Sequence, residues 1–588
     1  MKNFLKLLLL LIPFLACNTP TKNQHNPDFE GLLADYFDGT LELYRINATF
    51  LGDTRYNDTL PNYLSPAFKT KEKDFLVHYK ERLETFDADQ LSHNQLLSKN
   101  ILLRELDLEL EGKTFNTHLM PINQMWTFQL TMGQLASGKG AQPFNTVQDY
   151  RNWLIRLQGY LNWMLSAENM MKLGIKKGYV LPKSLIIKVL PQLGAMTQKE
   201  TTEHLFYRPI KQMPADFTEE DQKELEKAHA EIIENRIIPA YERLHDFMSS
   251  EYLSAGRESS GFNAFPDGAA YYDYAIRVYT TTNMDADSIH QLGLSEVARI
   301  RKEMEKVKDQ VAFEGDLSAF FEHVRSNPEL MPYENPQQVI DNFNAIYEKI
   351  KPNVDRLFSL QPKTPFEIRR VETFREASAA AHYNPGSLDG TRPGIFYVPI
   401  PNVKEYNVYS DEDLFLHEAI PGHHFQISLQ QENEDLPDFR KNLFYSAFSE
   451  GWALYTESLG KELGLYEDPY QYFGMLGAEM HRAIRLVVDT GLHAKGWTRE
   501  QAIQYSLDNE AESLAGITSE IERYMANPGQ ALSYKIGQLK IRALRKRAEE
   551  AMGNQFDIRI FHQKILESGA VPLSILEEKI NHWIQIHS

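Results

Sequence analysis

Apolar residues recur at three- and four-residue spacing through most of the chain, a period that predicts helices and not strands. QKELEKAHAEIIENRIIPAYERLHDFMSSEYL and SIHQLGLSEVARIRKEMEKVKDQV both carry it. TREQAIQYSLDN adds a start signal, a capping box from Thr498 to Gln501. NPGQALSYKIGQLKIRALRKRAEEAM begins at a Pro-Gly turn and continues as a long helix. Proline and glycine cluster near 209–214, 265–268, 384–402 and 527–529, always between helical runs. The strand signal is confined to RPGIFYVPIPN, residues 392–402, where Pro399 and Pro401 point to an edge strand or extended segment. An open edge of that kind can hold an extended peptide. No repeat and no clean linker interrupts the pattern. The expected fold class is mainly α: a large helical body with a deep cleft and a small β element, residues 29–588, in two lobes, 29–300 and 301–588.

The first residues depart from this pattern. MKNFLKLLLLLIPFLAC has two lysines, an apolar run and a small residue before Cys17, which is an export signal and not a fold element. Leu15-Ala16-Cys17 resembles the lipobox of bacterial lipoproteins, in which the cysteine is acylated and becomes the new N-terminus; Phe14 stands where leucine is usual. Cys17 is the only cysteine, and an exported chain has no disulfide use for one thiol. Lipidation accounts for it. Residues 18–28, polar and proline-containing, read as a tether. The expectation is a protein of the bacterial cell envelope, lipid-anchored and facing the periplasm. The net charge of −19 excludes a nucleic-acid binder, which needs a basic face. No internal run approaches the ~18 apolar residues of a membrane span, so the lipid would be the membrane attachment.

The chemistry concentrates in HEAIPGHHFQ, residues 417–426. In zinc peptidases two histidines four apart share a helix face, and a glutamate after the first serves as general base. His417 and Glu418 match, but Pro421 occupies the place of the second histidine. In a regular helix His424 would lie beneath His417 but ~10.5 Å along the axis. Zinc ligands sit ~2.0–2.1 Å from the ion, so both imidazoles must come within a few Å of each other. The helix must therefore bulge or break at Pro421-Gly422. His423 is the favoured second ligand, His424 the alternate. For the third, NLFYSAFSEGWALYTESLG, 442–460, offers Glu450, with Glu457 two turns on along the same face. A carboxylate in so apolar a helix is costly unless paired or metal-bound. Glu450 is assigned as ligand and Glu457 as the partner of a ligand imidazole.

Two further segments supply polar groups. In HRAIRLVVDTGLHAKGW, 481–497, Arg482, Arg485, Asp489 and His493 align at spacings of 3, 4 and 4. The stripe reads either as an ion-pair ladder bracing helices or as a network facing the cleft, with Asp489 supporting the site and His493 stabilising an oxyanion. EIERYMANPGQALSYKIG, 520–537, brings Arg523, Tyr524 and Tyr534 around a Pro-Gly turn. Either tyrosine could donate to an oxyanion, or both could be core. Arg523, Arg485, Arg482 and Arg392 are the candidates for holding a substrate carboxylate.

LHEAIPGHHFQ, SEGWALYTESLG, RLVVDTGLHAKGWT and ERYMANPGQALSYKIG, with ATFLGD near 48–53 and RPGIFYV at 392–398, resemble the domain-of-unknown-function 885 family of bacterial proteins. The resemblance covers about 40–585 and implies a mostly helical, gluzincin-like metallopeptidase. The Gly-His step is similar to that of the carboxypeptidase Taq family, whose motif is His-Glu-x-Gly-His; alignment on it implies His423 as second ligand. The function expected is an exported peptidase with one Zn2+, hydrolysing short peptides as a carboxypeptidase or oligopeptidase with Glu418 as base. Two rivals stand beside it: a metal-dependent hydrolase of a non-peptide amide, and a non-catalytic peptide-binding lipoprotein with a relic site. The intact Glu418 argues against the relic.

Overall fold

The structure, a computed structural model, describes residues 25–587 except 126, 374–375, 377–378 and 388–391, so Cys17 and the leader lie outside the described residues. The chain is mainly helical with a small three-stranded sheet. Twelve of the helices bear on the site and its surroundings: α1 (Pro27–Leu43), α2 (His93–Gly112), α3 (Val147–Lys177), α4 (Gly268–Thr280), α5 (Ala286–Gln310), α6 (Asp411–Glu418), α7 (His423–Glu432), α8 (Ser446–Glu457), α9 (Pro469–Ala494), α10 (Leu514–Ala526), α11 (Ser533–Met552) and α12 (Leu573–His587). None of the described helices is long and apolar enough to cross a membrane.

The expected tether is shortened at its end. Asn26 caps α1 by accepting from the Asp28 and Phe29 N–H groups, and Pro27 fills the first helical position, where no N–H is needed. The Gln95 side chain clamps Asn26 from both sides, accepting from its N–H at 3.0 Å and donating to its carbonyl at 2.8 Å.

The lobes do not divide at residue 300. One core joins α1 and α2 to everything from α4 onward, through Phe29, Leu33, Leu102, Ile289, Phe343, Trp452 and Leu576 among others. A second core lies between, built on Trp153, Tyr160 and Met164 of α3 and on Ile233, Tyr241 and Tyr252. Helices α1 and α2 thus belong with the C-terminal half, while Ile46 and Leu60 between them join the second core. Apolar periodicity shows that a helix has a buried face, not which helix faces it.

The strand expectation is corrected as well. β1 (Phe366–Arg370), β2 (His382–Asn384) and β3 (Gly394–Val398) form a sheet in the order β1-β3-β2, with β3 parallel to β1 and antiparallel to β2. The predicted edge strand is the central one. Pro393 and Pro399 bracket the ladder from outside, so neither removes a donor from it. Phe396 is fully buried, and the sheet covers α7.

Helix α8 lies at the centre, with almost every residue from Ala447 to Glu457 buried. It packs along α11 at backbone contact: a Cβ on Gly451 would stand 2.4 Å from Gly537 Cα, and one on Gly537 would stand 2.0 Å from the Ala447 carbonyl oxygen. Neither neighbour is a side chain that can rotate away. Gly537→Ala must therefore separate the two helices, at about 1–3 kcal/mol for overpacking. Its denaturation midpoint should fall clearly below wild type. Gly31→Ala, on the open face of α1 with nothing near its Cβ, should hold or raise the midpoint through helix propensity. Equal midpoints for the two variants would refute the contact.

Candidate metal centre

The helix carrying His417 does not bulge; it ends. α6 stops at Glu418, Ala419–Gly422 turn, and α7 starts at His423. Pro421 has no N–H to continue the ladder. Gly422 folds so tightly against the preceding turn that a Cβ there would stand 1.9 Å from the His417 carbonyl oxygen. Helix α8 staples both sides of the break. Trp452 Nε1 donates to the Pro421 carbonyl at 2.8 Å, and Thr456 Oγ1 donates to the Leu416 carbonyl at 2.9 Å.

The break brings His417 and His423 together, their ring centroids 4.8 Å apart. Glu450 rises from α8 between them: its Oε2 is 3.5 Å from His417 Nε2 and 3.5 Å from His423 Nε2. A tetrahedron with zinc–ligand arms of ~2.05 Å has edges of roughly 3.3–3.4 Å. Two edges of the trio thus match, and one ligand atom from each of the three residues lies within 4.8 Å of the others. Glu457, seven residues after Glu450, accepts from His417 Nδ1–H at 2.7 Å. That bond leaves the Nε2 lone pair facing Glu450, the tautomer a ligand histidine needs. Burial alone would lower the His417 pKa, but Glu450 and Glu457 outweigh it and push it up to about 10. The surroundings stabilise positive charge at this point.

Glu418 and His417 line a cavity of about 260 Å³ together with Asp413, Glu457, His481 and Arg482. A larger cavity, about 920 Å³, lies against α2 and α4 and is lined by none of the trio. We place the site on the donor geometry. Sequence reasoning missed Asp413: its Oδ1 and Glu457 Oε2 are both buried without a hydrogen-bond partner. Burial and the Glu457 charge push Asp413 well above the usual carboxylate range.

Several expected residues have other roles. His424 turns away from the trio, with Nδ1 held by Tyr383 Oη at 2.9 Å and its ring against Phe366. Burial pushes its pKa down to about 4. His493 is a core residue: the Phe262 N–H donates to Nδ1, and Nε2–H donates to the Tyr524 carbonyl. Both nitrogens are engaged and burial lowers its pKa to about 3, so it has no donor for an oxyanion. Asp489 accepts from Tyr272 Oη and from the Gly529 N–H, bracing the Pro-Gly turn and not the metal trio. Tyr524 Oη donates to Glu520 and accepts from Arg485 Nε, which closes it to a ligand. Arg392 is exposed and outside the cavity lining.

Tyr534 remains. Its ring lies under the Arg485 guanidinium, 4.5 Å from ring centre to Cζ, and close enough to Glu450 for that charge to add to burial in raising its pKa. Arg485 and Arg523 share one carboxylate, Glu520, at 3.0 and 2.7 Å. Burial would raise Glu520, but His481, Arg523 and Arg485 hold it far below its usual range. Arg485 Nη1 is buried with no partner. Arg482 makes no ion pair among the described residues. His481, not His493, is the histidine of α9 that reaches the cavity, its Nδ1 fixed by Glu510 at 2.5 Å. Its four-residue spacing to Arg485 was the available signal.

A putative lipoprotein from Colwellia psychrerythraea is 27% identical, with a TM-score of 0.87 over 95% of this chain and 99% of that one. A putative lipoprotein of unknown function from Shewanella oneidensis shares the fold at 18% identity, with a TM-score of 0.70 over 94% of this chain and 99% of that one. No curated protein matches. Matched over residues 46–580, the chain belongs to the DUF885 family, bacterial proteins of unknown function.

Proposed function

We propose that this protein is a gluzincin-like zinc peptidase of the bacterial envelope, cutting short peptides at the carboxyl end. The observation that carries the reading is the convergence of His417, His423 and Glu450 at near-tetrahedral edges, with Glu418 beside them. The Colwellia and Shewanella proteins named as lipoproteins support the envelope location, and Cys17 is the residue that would carry the lipid.

A zinc ion held by the trio would supply Lewis acidity toward a water and a peptide carbonyl. The remaining steps belong to the chain. Glu418, next to a ligand and free of coordination, takes the proton of the attacking water and returns it to the leaving amine. Glu457 holds His417 in its ligating tautomer. Tyr534, which makes no hydrogen bond among the described residues, donates to the oxyanion. Arg482 and the unpartnered Nη1 of Arg485 take the substrate's terminal carboxylate.

Metal analysis separates the two histidines. The purified protein should hold about one zinc per chain. His423→Ala should lose it and His424→Ala should keep it; the reverse result would assign the second ligand to His424. Glu418→Gln should retain zinc and lower kcat by at least ~10²-fold on the best peptide of a mixed library. Near-normal turnover would remove Glu418 from the mechanism. Amidating the substrate's C-terminus should cut kcat/KM by roughly 10-fold or more, the worth of one charge-assisted hydrogen bond, and Arg482→Ala should erase that difference. Sensitivity to N-terminal acetylation instead would make the enzyme an aminopeptidase.

A further inference from the structure

The described chain enters at a fixed place. Asn26 is clamped by Gln95 on the first turns of α2. Cys17 lies nine residues before it. Nine residues reach at most ~30 Å at full extension. A body of this length has a radius of gyration near ~25 Å, hence a diameter of roughly 65 Å. A lipid on Cys17 therefore turns the Asn26 face, and no other, toward the bilayer.

Next to Gln95 on the same turns of α2, Leu96 and Leu97 line an apolar groove of about 360 Å³ between α2 and α12, with Ile575, Trp583 and Ile586. Ile586 is 60% exposed, among the most exposed large apolar residues described. The groove's charged residues balance: Lys564 and Lys579 both reach Glu567, and Glu578 supplies the second acid. On a chain of net charge −19, a neutral apolar patch is where an anionic bilayer is repelled least.

We propose that this groove is the membrane-docking face of the protein and that its occupant is the lipid surface of the bilayer. The proposal rests on the Cys17 reading and adds an orientation: α12 lies against the headgroups, with Ile586 at their boundary with the acyl chains. The sole cysteine makes the test clean, because acylation of Cys17 leaves no free thiol. Ile586→Cys and Leu165→Cys are each purified as acylated full-length protein, labelled with an environment-sensitive fluorophore and reconstituted on phosphatidylethanolamine–phosphatidylglycerol vesicles. Leu165 is exposed on α3, which belongs to the second core. An apolar face enters the boundary by ~5–10 Å, so lipids spin-labelled in the acyl chain should quench the probe at 586 about twofold or more and leave the probe at 165 unquenched. Equal quenching at both positions, or none at 586, overturns the orientation; so does occupation of the groove by a second copy, which would shield the probe. The anchor is read separately. Labelled fatty acid should enter the parent protein and not Cys17→Ser, and label retained in the Ser variant overturns the anchor and with it the orientation.

Discussion

Two carboxylates buried on one face of α8 set the terms for the rest of the site. Glu457 is 1% exposed and Glu450 lies between two imidazoles, on a helix enclosed by Phe448, Trp452 and Leu454. Glu457 is sealed from water and Glu450 largely so, and an uncompensated buried carboxylate costs several kcal/mol. His417 answers both acids at once, Nδ1 to Glu457 and Nε2 toward Glu450. A second imidazole must then arrive on the other side of Glu450, and with Pro421 in the i+4 place a continuous helix cannot deliver one from i+6 or i+7. The break at Ala419–Gly422 follows from that demand. Its backbone is held by the same helix that creates it, through Trp452 and Thr456.

The precision of the trio passes through backbone packing. Gly451, next to Glu450 in sequence, meets Gly537 without a side chain between them. The distance from α8 to α11 is therefore set by main chain, which neither rotates nor yields. Ser446 and Ser533 hydrogen-bond at 2.6 Å near the start of the same crossing. Tyr534 follows Ser533 on α11, so a ligand, the staples of the helix break and the proposed oxyanion donor belong to one packed unit. A shift of α11 would move them together.

The trio's convergence was legible because its chemistry is local: residue type, a proline where a histidine belongs, and a seven-residue spacing that puts Glu457 over Glu450. The stripe on α9 was misread for a physical reason. Arg482, Arg485, Asp489 and His493 do align, but α9 is enclosed along its length, and each level meets a different neighbour. At Arg485 that neighbour is Glu520 of α10; at Asp489 it is the Gly529 turn; at His493 it is Phe262. Alignment on a face fixes direction, not partner, and these partners lie between 35 and 231 residues away. The prolines around β3 misled in the same way. Pro399 and Pro401 were read as faults within a strand, when both lie beyond its C-terminal end. Which helices share a core was not legible at all: nothing in α1 or α2 announces that they pack on the C-terminal half.

The cavity carries charges of both signs. Acids crowd the metal side, Glu418, Glu457 and Asp413 with Glu450 behind them, and their field favours a cation. Arg482 and His481 line the same cavity, with His481 tied to Glu510, and Arg485, one turn on from His481, shares Glu520 with Arg523. The Nη1 of Arg485 is buried with no hydrogen-bond partner, and Arg482 makes no ion pair among the described residues. Unit charges 4 Å apart interact by ~4 kcal/mol at an effective dielectric near 20. A peptide bound carboxylate-first gains that attraction and presents its last amide toward Glu418. One bound amine-first meets the arginines with like charge. Beyond ~8 Å salt screens the field, so the acidic exterior of the chain does little against this local preference. On the peptidase reading, end-specificity thus rests on Arg482 and the bare Nη1 of Arg485, and not on any single pocket shaped for a side chain.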